Sequence, residues 1–147
     1  MTSIIVHKII MNILKFVRYS TEFGYYYRIS ENNFSLEELA FFLKTEVVCF
    51  GSSSWKRLIN ALEDGDSTSG NMIDIEKRGL NLYLGYVHDD LENPCERLEI
   101  SQEELFKLMI EWEKLMKKKP EEIILTQDNG KFELTEVDCS GLHHGIY

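Results

Sequence analysis

Apolar and polar positions interleave with strand-like spacing at the start of the chain. Leu14 and Phe16 are interspersed with Lys15 and Arg18, which predicts a strand over Ile13 to Tyr19, and the aromatic run before Ile29 predicts a second over Tyr25 to Ile29. The period then lengthens. Ser35-Leu-Glu-Glu38 reads as a capping box followed by Leu36, Leu39, Ala40 and Leu43 at helical spacing. This helix is expected to end near Thr45, with Val47-Val-Cys-Phe50 turning β-like before Gly51. A second helix is expected from the Ser52-Ser-Ser54 cap through Trp55, Leu58, Ile59 and Leu62. Glu63 to Gly70 reads as a polar loop.

Period two returns over Met72 to Glu76 and Leu80 to His88, a predicted hairpin joined by Lys77-Arg-Gly79. Leu80, Leu82, Leu84 and Tyr86 fall on one face of its second strand, and Asn81, Tyr83, Gly85 and Val87 on the other. Asp89 to Pro94 is an acidic turn, and Arg97 to Ile100 a short strand. The clearest helix opens on the capping box Ser101-Gln-Glu-Glu104 and carries Leu105, Leu108, Met109, Trp112, Leu115 and Met116 as one stripe. Glu103 and Glu104 suit its positive first turn, and Lys114 with Lys117 to Lys119 suits its negative end. Pro120 stops it. Glu121 to Thr126 and Lys131 to Val137 form a closing hairpin over Asn129-Gly130.

No repeat, low-complexity tract or Pro-rich linker divides this order of elements. The expectation is one α+β domain over 1–147, an antiparallel sheet with about three helices packed mainly on one face. Residues 1–10 are expected as an extension, an extra strand or a stretch preceding a start at Met11, and 138–147 as a tail.

Composition narrows the function classes. Among 147 residues, 44% are hydrophobic and 12% aromatic, enough for a real core. Sixteen basic against twenty-five acidic side chains give −9, which argues against direct nucleic-acid or anionic-membrane binding, since both need a positive surface. The N-terminal apolar stretch is too short and too charged to span a bilayer and lacks the pattern of a secretory signal. Cys49, Cys95 and Cys139 form no metal or disulfide framework, which points to reduced thiols in a cytoplasm.

Motifs for catalysis are thin. Gly51-Ser-Ser-Ser-Trp55 lacks the lysine of a phosphate loop. Glu37-Glu38 and Glu103-Glu104 suit first-turn helix positions better than acid–base pairs. His88 beside Asp89-Asp90 is a candidate base, without a strained nucleophile turn to serve. Cys139 with His143 and His144 has no second cluster at ligand spacing, and Asp89, Asp90 and Glu92 lack the spacing of a calcium loop. No metal and no cofactor are expected. Tyr25-Tyr-Tyr27 with Arg28 has the makings of a base-stacking platform, which the overall charge opposes.

Charge is polarised along the chain. Residues 1–30 carry +3, whereas from Tyr86 to Glu113 nine acids stand against Arg97 and Lys107, a net −7. Such a stretch fits a surface for a basic partner, because complementary charge speeds association and rejects wrong partners.

From about Asn71 to Glu136 the order of features resembles small bacterial immunity proteins of contact-dependent growth inhibition and related polymorphic toxin systems. The pieces that carry the resemblance are Gly70-Asn-Met-Ile-Asp-Ile75, Leu82-Tyr-Leu-Gly-Tyr86, Leu98-Glu-Ile-Ser101, Glu111-Trp-Glu113 and Pro120-Glu-Glu-Ile-Ile-Leu-Thr126. They span less than half the chain and are structural motifs. The resemblance implies a non-enzymatic cytoplasmic protein that binds one cognate toxin, such as a nuclease domain with a basic surface, and blocks its active site or substrate approach. Interfaces of that family diverge with the toxin, so no binding residue carries over. Charge and position alone nominate Asp89, Asp90, Glu92, Glu96 and Glu99, with Tyr83, Tyr86 and His88 as anchors. The other classes left open are a small hydrolase using His88 and neighbouring acids, and an adaptor subunit of a larger assembly.

Overall fold

A computed structural model describes residues 11–87 and 97–137. The fold is α+β, and the described residues form eight strands in two four-stranded antiparallel sheets rather than the single sheet expected from the element order. The first sheet has the order β2-β1-β7-β8, from β1 (Asn12–Thr21), β2 (Gly24–Glu31), β7 (Glu122–Asp128) and β8 (Lys131–Val137). The second has the order β3-β4-β5-β6, from β3 (Ser67–Ser69), β4 (Ile73–Arg78), β5 (Asn81–Tyr86) and β6 (Leu98–Ser101). The first and last described segments, 12–31 and 122–137, thus build one sheet, and the segment 67–101 builds the other.

Three helical elements complete the fold. Helix α1 runs continuously through Glu37–Phe41, a π-wound stretch Phe42–Val47, and Val48–Phe50. The expected stop near Thr45 is therefore wrong. Phe42, Leu43 and Val47 are buried in the common core, and that burial overrides the strand preference of Val47, whose neighbour Val48 stays exposed on the same helix. The Ser35 capping box is not made either. Leu36 occupies the cap position without a side-chain bond, and Asn33 Oδ1 instead accepts from the Ser35 N–H at 2.9 Å.

Helix α2 (Ser52–Ala61) follows Gly51, whose φ of +84° suits the sharp break between the two helices. Helix α3 (Gln102–Lys118) begins as its capping box predicts, with Ser101 Oγ accepting from the Glu104 N–H at 3.1 Å. It closes with Lys119 in the left-handed conformation just before Pro120.

The hairpins depart from expectation in detail. The β4–β5 pairing extends to Arg78 opposite Asn81, so the turn is Gly79-Leu80 rather than residues 77–79. The predicted loop 63–70 contains β3, which pairs with β4 through Ser67 opposite Glu76 and Ser69 opposite Asp74. Three serine and threonine residues carry no apolar alternation, so this strand has little hydrophobic pattern to announce it. In the final hairpin both Asn129 and Gly130 have positive φ, as a two-residue turn of matching twist requires.

One cluster of buried side chains joins all layers. Leu14, Phe16, Ile123 and Leu125 come from the first sheet, and Ile75, Leu82, Leu84 and Ile100 from the second. Trp55 and the expected stripe of α3 fill the space between them, with Trp112 set edge-on to Phe16 at 4.9 Å.

Candidate functional site

Alternation along β4, β5 and β6 sends Ile73, Ile75, Leu82, Leu84, Leu98 and Ile100 into the core. The intervening residues build the opposite face of the second sheet. Strand register places Glu76 opposite Tyr83, Tyr83 opposite Glu99, and Asp74 opposite Gly85. Tyr83 is therefore flanked by a carboxylate on each neighbouring strand. Among the described residues no helix covers this face, and its residues are exposed or half-buried, Gly85 apart.

The face has a definite internal order. Glu99 Oε1 accepts from Asn81 Nδ2 at 3.0 Å and from the Tyr83 hydroxyl at 3.2 Å. The Arg78 guanidinium lies 5.2 Å from the centre of the Tyr83 ring and also pairs with Glu76 at 3.2 Å. Tyr83's phenol is held above the ordinary tyrosine range, first by desolvation among its neighbours and then by the Glu99 charge and hydrogen bond, with Arg78 opposing. Arg97 lies across Gly85 and pairs with Asp74 at 2.7 Å; these side chains are only 9% and 18% exposed. A Cβ at Gly85 would come within 3.0 Å of Arg97 Nε, so the glycine leaves room for the guanidinium stem to lie flat on the strand.

Of the nominated residues, Tyr83 and Glu99 meet on this face. Tyr86 does not join them. It points to the helical side, where its hydroxyl donates to Glu37 Oε1 and its ring meets Phe41 edge-on at 6.2 Å. His88, Asp89, Asp90, Glu92 and Glu96 lie outside the described residues, as do Cys95 and the Cys139, His143 and His144 set. Asp74, Glu76, Arg78 and Arg97 were not nominated. Their signal was the alternation Ile73-Asp-Ile-Glu76, which puts both acids on Tyr83's side once β4 and β5 are paired.

The acidic stretch itself is divided. Glu113 turns inward: its carboxylate accepts the Ser52 N–H at 3.0 Å and the Ser52 hydroxyl. Glu104 Oε2 is buried with no hydrogen-bond partner. Neither carboxylate stands out from the surface as Glu99 does. The tyrosine run is divided as well, with Tyr27 buried on the core side and Tyr26 exposed on the other face beside Tyr19, at a ring separation of 6.0 Å.

Among the described residues, no three His, Cys, Asp or Glu side chains gather to hold a metal ion, and no helix is long and apolar enough to cross a membrane. Cys49 is an exposed free thiol. No protein-family model matches the chain, and neither the curated proteins nor the solved structures provide a match.

Proposed function

We propose that the chain is a non-enzymatic, cytoplasmic immunity protein that binds a cognate toxin through a basic surface of that toxin, such as a nuclease domain's nucleic-acid site, and blocks substrate approach. The observation that carries this reading is the outer face of the second sheet, which no described helix covers and where Tyr83 sits between Glu76 and Glu99. The chain joining β5 to β6 of this sheet contains Asp89, Asp90, Glu92 and Glu96, so the same two strands lead into the densest run of acids. A rigid aromatic ring inside a charged surround is the usual make-up of a binding hot spot. Carboxylates fixed by a sheet occupy phosphate-binding positions on a basic partner without reordering. The resemblance of residues 71–136 to immunity proteins points the same way.

The test is co-expression with the toxin domain encoded next to this chain's gene. Protection of the cells, together with a complex that co-elutes on gel filtration and loosens as salt rises, is the expected result. Unprotected cells and separate elution of the two proteins overturn the proposal.

A further inference from the structure

The helical side of the molecule holds a cavity that the docking face does not use. Its volume is about 350 Å³, and it lies between β2, the π-wound stretch of α1 and helix α3. Tyr25 and Tyr27 present their rings on one side, with Tyr26 between them turning its own ring to the other face of β2 beside Tyr19; Trp112 and Met116 form another wall, and Lys44 reaches it from the π-wound stretch. This volume lies in the range typical of small-ligand sites.

The polar groups of the cavity are one-sided. The Tyr25 hydroxyl donates to the Met116 carbonyl at 2.9 Å and the Tyr27 hydroxyl to the Pro120 carbonyl at 2.6 Å, so both phenols are already engaged. Trp112 is fully buried, yet its indole N–H has no hydrogen-bond partner. Buried donors are paired in most folded proteins, so the unpaired indole of a residue that lines both this cavity and the adjoining hollow is a donor in want of a partner. Lys44 forms no ion pair with the described residues and rests 5.4 Å from the Phe41 ring centre. Burial lowers its pKa, which means that its charge is incompletely solvated where it stands. Among the described residues, no Asp or Glu lines the cavity. An adjoining hollow, of about 360 Å³, shares Val48, Trp112 and Met116 but includes Glu113, whose carboxylate is engaged with Ser52.

We infer that this cavity binds a small aromatic carboxylate, its ring against the tyrosines and Trp112 and its carboxylate towards Lys44. Planar aromatic walls favour a flat apolar body. A desolvated ammonium without a counter-ion favours an anion, rejects a cation and gains little from a neutral ligand. This site is independent of the proposed toxin interface, since its walls come from β2, α1 and α3 and none from the second sheet.

The experiment is a heteronuclear NMR titration of the full chain with indole-3-acetate and with its neutral analogue indole-3-acetamide. The chain has two tryptophans, so Trp55→Phe assigns both indole N–H resonances. Trp55 already donates to the Glu46 carbonyl at 3.0 Å and serves as the internal control. The expected result is saturable binding of the acetate with a Kd below about 1 mM, roughly tenfold tighter than the amide. The Trp112 indole resonance is expected to move more than that of Trp55. Lys44→Met, a change at the half-buried rim that conserves chain length, is expected to leave the spectrum folded and remove the preference for the acid. Equal binding of acid and amide overturns the inference, as do a preference that survives Lys44→Met, a shift confined to Trp55, or no saturation.

Discussion

Glu113, on the long helix α3, closes the N-terminus of α2 through Ser52: one carboxylate oxygen accepts the Ser52 N–H at 3.0 Å and the other accepts its hydroxyl. The serine run at the start of α2 reads as a self-contained cap, yet Ser52 is the first helical residue and the capping group comes from another helix. A negative group there satisfies an otherwise orphaned donor and meets the positive end of the helix dipole. Glu113→Ala is expected to destabilise the protein by about 1–2 kcal/mol, read as a lower urea midpoint with an unchanged slope. Ser52→Ala, which keeps the N–H bond, is expected to lose less. Equal stability of Glu113→Ala and the parent would show that the contact contributes nothing.

Gly70 lies so close to Glu46 that a Cβ built on it would stand 1.3 Å from Glu46 Oε2 and 3.1 Å from Trp55 Cζ2. Glu46 is fully buried and neither of its carboxylate oxygens has a hydrogen-bond partner. Gly70→Ala is therefore expected to cost about 1–3 kcal/mol, because the buried Glu46 carboxylate must swing aside and Trp55 must yield. In a Glu46→Ala background the same change is expected to cost much less, a coupling of about 1 kcal/mol or more in a double-mutant cycle. Glu46→Met, which removes the unpaired oxygens and fills the space, is expected to stabilise by about 1 kcal/mol. Additive single and double changes in the cycle would dismiss the contact.

Tyr27 donates from its hydroxyl to the Pro120 carbonyl at 2.6 Å, and burial pushes its pKa up to about 12, with the Arg18 guanidinium opposing. The folded state therefore holds this proton more tightly than the unfolded chain, whose tyrosine titrates near 10.0. Stability tied to Tyr27 is fully present below pH 10.0 and is lost as pH rises through about 12. An ultraviolet titration is expected to show a tyrosine ionising late, together with a fall in stability over that window. Tyr27→Phe is expected to remove the late step near pH 12. If the variant keeps that step, the raised pKa belongs to another phenol.

Much of this fold was legible along the chain, and the exceptions share a cause. The stripe on α3 and the turn at Asn129-Gly130 are local signals, and both elements form where the pattern puts them. Val47 and the Ser67–Ser69 strand are decided by partners distant in sequence: the common core holds the first helical, and β4 pairs the second. The site divides on the same line. Alternation alone separates Tyr83 from Tyr86, and the structure keeps them on opposite faces of β5. That Glu113 serves Ser52, 61 positions away, depends on how α2 meets α3, and no spacing rule encodes it.

The docking proposal makes a kinetic prediction that separates Glu99 from acids elsewhere. Glu76 and Glu99 flank Tyr83 on a face that no described helix covers; Glu99 carries no ion pair among the described residues, and Glu76 is partly offset by Arg78, so reversing both changes the field that an approaching partner meets. Reversing both, in Glu76→Lys with Glu99→Lys, is expected to slow association with a basic toxin roughly tenfold at low ionic strength. The difference is expected to fade as salt rises towards about 1 M, where screening shortens the reach of a charge to about 3 Å. Tyr83→Ala is expected to act mainly on dissociation, because a central aromatic contact is made only after encounter. Glu133→Lys supplies the control: it makes the same Glu-to-Lys reversal once, half the charge change of the pair, at an exposed position of the first sheet, and it is expected to leave the on-rate near that of the parent. Stopped-flow association at several salt concentrations measures all four proteins. If Glu133→Lys slows binding as much per charge as the pair on the second sheet, net charge rather than this face governs the encounter, and the docking surface lies elsewhere.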